Sequence, residues 1–213
     1  MAKVKVKICG ITNWTDARRA VEAGAQFLGF NFYRPSPRYI QPAAARRIIR
    51  RLPDGIATVG VFVNESEANM LAIARRVGLD YLQLHGDEAP EQVARLKREI
   101  PVIKAVRVRD SFRPKQLDAF GRASAILLDG FDARRHGGTG KTFNWNLARG
   151  SNGSRRIFLA GGLTPENVAE AIRVARPYAV DVCSGVEAHP GKKDPARIVA
   201  LMWAVKAAAD KRK

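Results

Sequence analysis

The chain is 213 residues long and 46% of its side chains are apolar, enough for a substantial core, which excludes global disorder. Its 37 Lys and Arg against 20 Asp and Glu leave a net charge of +17, which suits anionic partners such as a phosphorylated small molecule, nucleic acid or an acidic surface. No apolar run approaches the ~18 residues of a membrane span, and residues 1–7 alternate charged and apolar side chains where a signal peptide would have an apolar centre, so neither membrane insertion nor secretion is expected.

Eight short Val/Ile/Leu-rich runs read as strands: 4–9, 27–32, 57–63, 81–85, 102–108, 125–129, 157–160 and 179–183. Several are apolar at consecutive positions, the pattern of parallel strands covered on one face and packed inward on the other. Between them, the amphipathic segments 16–23, 42–52, 66–77, 89–99, 114–120, 165–175 and 195–209 read as helices. Thr164-Pro165 and Asp194-Pro195 each set a capping side chain ahead of a proline in the first helical position. The strand ends recur about every 25 residues, closer than the ~31 of a typical eightfold barrel but within reach of a trimmed one. An open doubly wound sheet is the competing architecture. Eight units, and the lack of a Gly-x-Gly-x-x-Gly turn after the first strand, favour the barrel. The expectation is an α/β chain forming one compact (β/α)8 TIM barrel of eight parallel strands over residues 1–213, with a frayed tail at 211–213.

In either architecture the carboxyl ends of the strands converge on the ligand. Cys9, His85 and Asp129 lie at such ends, each followed at once by a glycine that allows a sharp turn and close approach of a ligand. From position alone, Cys9 reads either as a thiolate with a lowered pKa or as a small buried hydrophobe. Asp129 ends an apolar run, so an inward carboxyl would be desolvated and hold a proton for donation; a helix cap or a salt bridge is the plainer reading. His85 is a polar lining group or a hydrogen-bonded histidine of the wall. Arg38 lies in a loop stiffened by Pro35 and Pro37, which can present it in a fixed pose to a carboxylate.

The segment Gly137-Gly138-Thr139-Gly140-Lys141-Thr142 fails as a nucleotide-phosphate loop, because Arg135 stands where the first glycine is required; it reads instead as a mobile loop over the site. Phosphate is better served by Gly161-Gly162 after the seventh strand and Ser184-Gly185 after the eighth, the two loops that hold phosphate in eightfold barrels. His85, His136 and His189 are far apart and form no metal-ligand pair, so no metal and no cofactor is expected. With only Cys9 and Cys183, the chain has no disulfide framework and is expected in the reducing cytoplasm.

The chain resembles the phosphoribosylanthranilate isomerases of tryptophan biosynthesis along essentially its full length. The resemblance rests on Lys7-Ile8-Cys9-Gly10-Ile11-Thr12, Ser36-Pro37-Arg38-Tyr39-Ile40, Gly60-Val61-Phe62-Val63-Asn64, Gln83-Leu84-His85-Gly86, Leu127-Leu128-Asp129, residues 137–143, Leu159-Ala160-Gly161-Gly162-Leu163, and Asp181-Val182-Cys183-Ser184-Gly185-Val186-Glu187, in that order. It implies a cofactor-free Amadori rearrangement in which Cys9 is the general base and Asp129 the general acid. Arg38 would bind the anthranilate carboxylate, His85 and Asp181 would contact the substrate, and Gly161, Gly162, Ser184 and Gly185 would hold the phosphate. The chain departs from the family's usual pattern at Cys183, where serine is common, and at Asn144, which serves as a cap in either form.

Strands one and eight are neighbours in a closed barrel, so Cys9 and Cys183 should approach one rim, where oxidation could join them. Alternation also turns Lys7 inward with Cys9, where a buried ammonium needs a partner; Asp181 is the expected one. Another sugar-phosphate barrel isomerase, of the histidine pathway, is disfavoured because such relatives use two aspartates where Cys9 and Asp129 stand. A catalytically silent nucleic-acid binder is disfavoured because the Arg pairs are dispersed and lack an aromatic reading motif. No membrane or nucleic-acid partner is therefore expected, and the chain is taken as a monomer or homodimer.

Overall fold

In a computed structural model, which describes residues 4–130, 144–151 and 155–210, eight strands close on themselves. They are β1 (Lys5–Ile8), β2 (Phe27–Asn31), β3 (Ala57–Phe62), β4 (Tyr81–Leu84), β5 (Val102–Val108), β6 (Ala125–Gly130), β7 (Ile157–Leu159) and β8 (Ala179–Val182). Each pairs in parallel with the next, and β8 pairs with β1, so the expected closed barrel is the architecture found. Because side chains alternate across a strand, one set fills the barrel: Phe27, Val59, Ile103, Ala105, Ala125, Leu127, Phe158, Ala160 and Ala179. The other set, including Ile8, Leu28, Leu82, Leu84, Ile126, Leu128 and Val180, packs outward against the helices. This double burial is what made the strands read as unbroken apolar runs.

Among the described residues, six α-helices accompany the strands: α1 (Trp14–Glu22), α2 (Pro42–Ile49), α3 (Glu67–Val77), α4 (Pro90–Leu96), α5 (Val168–Ala175) and α6 (Pro195–Asp210). Their starts have local causes. Asn13 Oδ1 accepts from Asp16 N at 2.9 Å, Ser66 Oγ from Asn69 N at 3.3 Å, and Asp194 Oδ1 from Ala196 N at 2.8 Å. Asp194 thus caps α6 as its sequence signal says. Thr164-Pro165 does not open α5. Asn167 Oδ1 accepts from Thr164 N at 2.8 Å while its amide donates to Gly162 O at 2.9 Å, so this stretch is spent on clamping the glycine turn and the helix begins at Val168. Segment 114–120 is 3₁₀, not α: Leu117 is its single buried residue, too little to fix an apolar stripe at α spacing. Asn144 Oδ1 accepts from Asn146 N at 3.1 Å, capping the short 3₁₀ turn Trp145–Ala148.

One element has no counterpart in the sequence reading. After a 3₁₀ turn at Ser184–Val186, β9 (Glu187–His189) and β10 (Lys192–Lys193) form an antiparallel hairpin. Its tip is Pro190-Gly191, with Gly191 at φ +83°. The expected loop at 137–142 and tail at 211–213 lie outside the described residues. Among the described residues, no helix is long and apolar enough to cross a membrane.

Candidate active site

The carboxyl ends of the strands surround a cavity of about 520 Å³. Cys9, Arg38, His85, Asp129, Gly161, Gly162, Asp181 and Ser184 all line it. Gly185 lies just behind, where a Cβ would fall 1.9 Å from Leu163 O; its bare Cα is what lets the β8 loop pack against the β7 loop.

On the β1 side, Lys7 and Asp181 are paired across the β1–β8 ladder. The fully buried Lys7 Nζ donates to Asp181 Oδ1 at 2.9 Å and Oδ2 at 3.0 Å, the partnership anticipated for an inward lysine. Gly29 on β2 makes room beside them: a Cβ there would lie 2.7 Å from Cys9 Sγ and 3.0 Å from Lys7 Nζ. Hydrogen bonding from Cys183 holds the Cys9 thiol well below its ordinary range, against the opposing effect of burial and with help from the charges of Lys7 and Lys193. The same contact with Cys9, together with burial, pushes Cys183 well above that range. Burial opposes the Lys7 charge, but Asp181 and Cys9 outweigh it and hold the ammonium above the ordinary lysine range. Burial raises the Asp181 carboxyl to about 7, with Lys7 pulling the other way.

Across the cavity, Asp129, the last residue but one of β6, has only 5% of its surface exposed. His85 Nε2 lies 3.1 Å from Asp129 Oδ2, and Gln83 Nε2 lies 2.9 Å from His85 Nδ1. With the Gln83 amide donating to Nδ1, the ring proton sits on Nε2 and is donated to Oδ2. Oδ1 remains beside the β7 loop, where a Cβ on Gly161 would sit 3.1 Å from it and 2.5 Å from Gly130 N; Gly161 also adopts φ +83°. His85 is therefore a hydrogen-bonded wall residue that also lines the cavity.

Arg38 is fixed from two directions. Ser36 Oγ accepts from Arg38 N at 3.1 Å and from Asn31 Nδ2 at 3.1 Å, folding the proline-stiffened loop over the end of β2. Its side chain forms a fork with Glu187, Nε to Oε1 at 2.9 Å and Nη2 to Oε2 at 2.7 Å. Lys193 Nζ, delivered by the hairpin, donates to Glu187 Oε1 at 2.9 Å. Both Glu187 and Lys193 are almost fully buried.

A family model described as N-(5'-phosphoribosyl)anthranilate (PRA) isomerase matches residues 6–204. The chain belongs to the phosphoribosylanthranilate isomerase family. It is 54% identical over 195 residues to the N-(5'-phosphoribosyl)anthranilate isomerase of Pelobacter propionicus, covering 92% of each chain. The crystal structure of phosphoribosyl anthranilate isomerase from Thermotoga maritima superposes with a TM-score of 0.87 at 45% identity, over 96% of this chain and 99% of that one. A phosphoribosyl anthranilate isomerase solved in complex with reduced 1-(o-carboxyphenylamino)-1-deoxyribulose 5-phosphate matches with a TM-score of 0.84 at 44% identity, over 96% of this chain and 99% of that one. The chain is thus an enzyme of this isomerase class.

Three groups that shape this isomerase's cavity carry no role in the sequence reading. Gln83 appears there only as a neighbour of His85, and its Oε1 is buried with no partner among the described residues. Glu187 appears only as the end of a motif; Lys193 does not appear at all. The signal for these last two was the Pro190-Gly191 turn, which folds position 193 back onto position 187. A further buried pair braces the His85 side: Lys104 Nζ donates to Glu88 Oε2 and to Gly86 O, both at 2.8 Å, while Glu88 Oε1 accepts from Asn64 N at 2.9 Å. That set ties the loops that follow β3 and β4 to β5.

Proposed function

We propose that the chain converts N-(5-phosphoribosyl)anthranilate into 1-(2-carboxyphenylamino)-1-deoxyribulose 5-phosphate, the aldose–ketose isomerisation of tryptophan biosynthesis, with no cofactor. The observation that carries this reading is the placing, in one cavity, of a buried aspartate and a cysteine whose thiol Cys183 and Lys7 hold well below its ordinary range. The rearrangement needs both at one pH: a group that gives a proton and a group that takes one. Asp129 protonates the ribose ring oxygen, the ring opens, and the anthranilate nitrogen's lone pair forms an iminium at C1. The Cys9 thiolate removes the C2 proton, giving an enamine that tautomerises to the ketone.

The other site residues divide the substrate between them. Arg38, its guanidinium fork pinned by Glu187, binds the anthranilate carboxylate. Gly161, Gly162, Ser184 and Gly185 hold the phosphate with backbone N–H groups. Asp181 and His85 face the sugar, Asp181 balancing Lys7 and His85 steadying Asp129. The excess of positive charge draws in a substrate bearing both a carboxylate and a phosphate. The working unit is a monomer or homodimer in the cytoplasm. The test is direct: purified protein should quench anthranilate fluorescence as the phosphoribosyl conjugate is consumed. Substrate lacking the phosphate should turn over poorly. No turnover of the intact conjugate by folded protein would reject the assignment.

A further inference from the structure

Cys9 and Cys183 stand side by side just beyond the paired ends of β1 and β8. Ile8 and Val182 are paired across β1 and β8, and Cys9 N donates to Val182 O at 2.9 Å. Cys9 and Cys183 each follow that last pair, and although Cys183 (φ −121°, ψ −83°) already turns out of the strand, its sulfur remains in hydrogen-bonding contact with the Cys9 sulfur. Both are reduced, and both line the substrate cavity. The single Cys183 proton has two acceptors, the Cys9 sulfur and Glu187 Oε1 at 3.8 Å. Lys193 Nζ stands 3.7 Å from Cys183 Sγ.

We infer that Cys9 and Cys183 form a reversible redox couple: hydrogen peroxide entering the substrate cavity oxidises Cys9, and Cys183 closes a disulfide onto it. In the first step the Cys9 thiolate attacks one peroxide oxygen, the O–O bond breaks, and Cys9 becomes a sulfenic acid while the second oxygen leaves as hydroxide and is protonated to water. In the second, Cys183 sulfur attacks Cys9 sulfur; the S–S bond forms, the S–O bond breaks, and hydroxide leaves with the Cys183 proton as a second water. Sulfur loses two electrons in all and peroxide gains them. The order of events is built into the charges. While Cys9 is a thiolate it helps burial keep Cys183 protonated; once Cys9 is a neutral sulfenic acid its share of that restraint is gone, leaving Lys193 and Arg38 to favour the Cys183 thiolate against burial alone. A serine at 183 has no sulfur to close the bond, and oxidation of Cys9 would continue to the irreversible sulfinic acid. That oxidation also silences turnover rests on the reading of Cys9 as the base.

Purified protein treated with hydrogen peroxide, then analysed by thiol counting under denaturing conditions, intact mass and peptide mapping, tests this. Both thiols should disappear together with a mass loss of about 2 Da, a peptide joining positions 9 and 183 should be found, and dithiothreitol should restore both thiols. Folded Cys183→Ala protein should instead gain about 32 Da at Cys9, unaffected by dithiothreitol. Two surviving thiols, stepwise oxygen addition at Cys9 with Cys183 still free, or a dimer on non-reducing electrophoresis would overturn the couple. Thiol count and mass do not depend on turnover, so a failed isomerase assignment and a failed couple give different results.

Discussion

Replacing Glu187 by glutamine removes one negative charge from a buried cluster while keeping its shape. The carboxylate is 4% exposed and serves Arg38 at 2.7 and 2.9 Å and Lys193 at 2.9 Å, cations that are themselves 11% and 1% exposed. Removing one partner from a buried ion pair typically costs 3–5 kcal/mol. The glutamine oxygen can still accept from one cation, which returns part of that, so a loss of about 3 kcal/mol is expected, roughly a hundredfold in the folded-to-unfolded ratio. The pH dependence has a definite sign. Burial alone would raise the Glu187 carboxyl, but the Arg38 hydrogen bonds and the Lys193 charge outweigh it and hold it below the usual carboxylate range. Its stabilisation is complete above the unfolded value of about 4.3 and is lost as pH falls through the lower folded value. The assay is urea unfolding of wild type and Glu187→Gln between pH 3.5 and 7.5, with steady-state kinetics beside it. The stability gap should be full at pH 7 and narrow below pH ~4, and KM should rise about tenfold with a smaller change in kcat, because Arg38 loses its fixed pose for the carboxylate. A gap under about 1 kcal/mol, or one that does not change with pH, would refute the reasoning.

Three further outcomes follow from the same geometry. Lys7→Met removes the cation that draws the Asp181 carboxyl down, so Asp181 takes up a proton at neutral pH, and the lost pairing should cost about 2 kcal/mol in denaturant unfolding; a loss within the error of that measurement would show that the pair contributes nothing. Iodoacetamide should alkylate Cys9 of the wild type well below the pH at which an ordinary thiol reacts, and Lys7→Met should move that profile upward; profiles superposing on a free-thiol control would contradict the lowered Cys9 value. Gly185→Ala drives a methyl to 1.9 Å from Leu163 O and should separate the β7 and β8 loops, raising KM and weakening inhibition by inorganic phosphate at least about tenfold; unchanged phosphate inhibition would take the phosphate away from these loops.

Most of the barrel was legible because its strands are buried on both faces and its helices are amphipathic, with one start, Asp194-Pro195, marked by a local cap. Lys7 and Asp181 were legible as a pair because alternation and strand order together fix who faces whom. Where the sequence misled, a contact distant from the local pattern decided. Thr164-Pro165 has the form of a helix start, but Asn167 turns back to Gly162 and consumes the first turn. Glu187 and Lys193 carry no local signature of burial; a charged pair on a hairpin reads as surface until the hairpin is seen to cover Arg38. The Glu88–Lys104 pair escaped for the same reason, since Lys104 lies in an apolar strand and its acceptors come from the preceding strand's loop.

The most direct test of the chemistry compares turnover with binding in Cys9→Ser and Asp129→Asn. Each should lower kcat at least about a hundredfold, while the affinity for a non-reacting reduced product analogue stays within about tenfold of wild type. Turnover retained within tenfold by either variant, or lost only in proportion to analogue binding, would contradict a thiolate base and a carboxyl acid facing each other across this cavity.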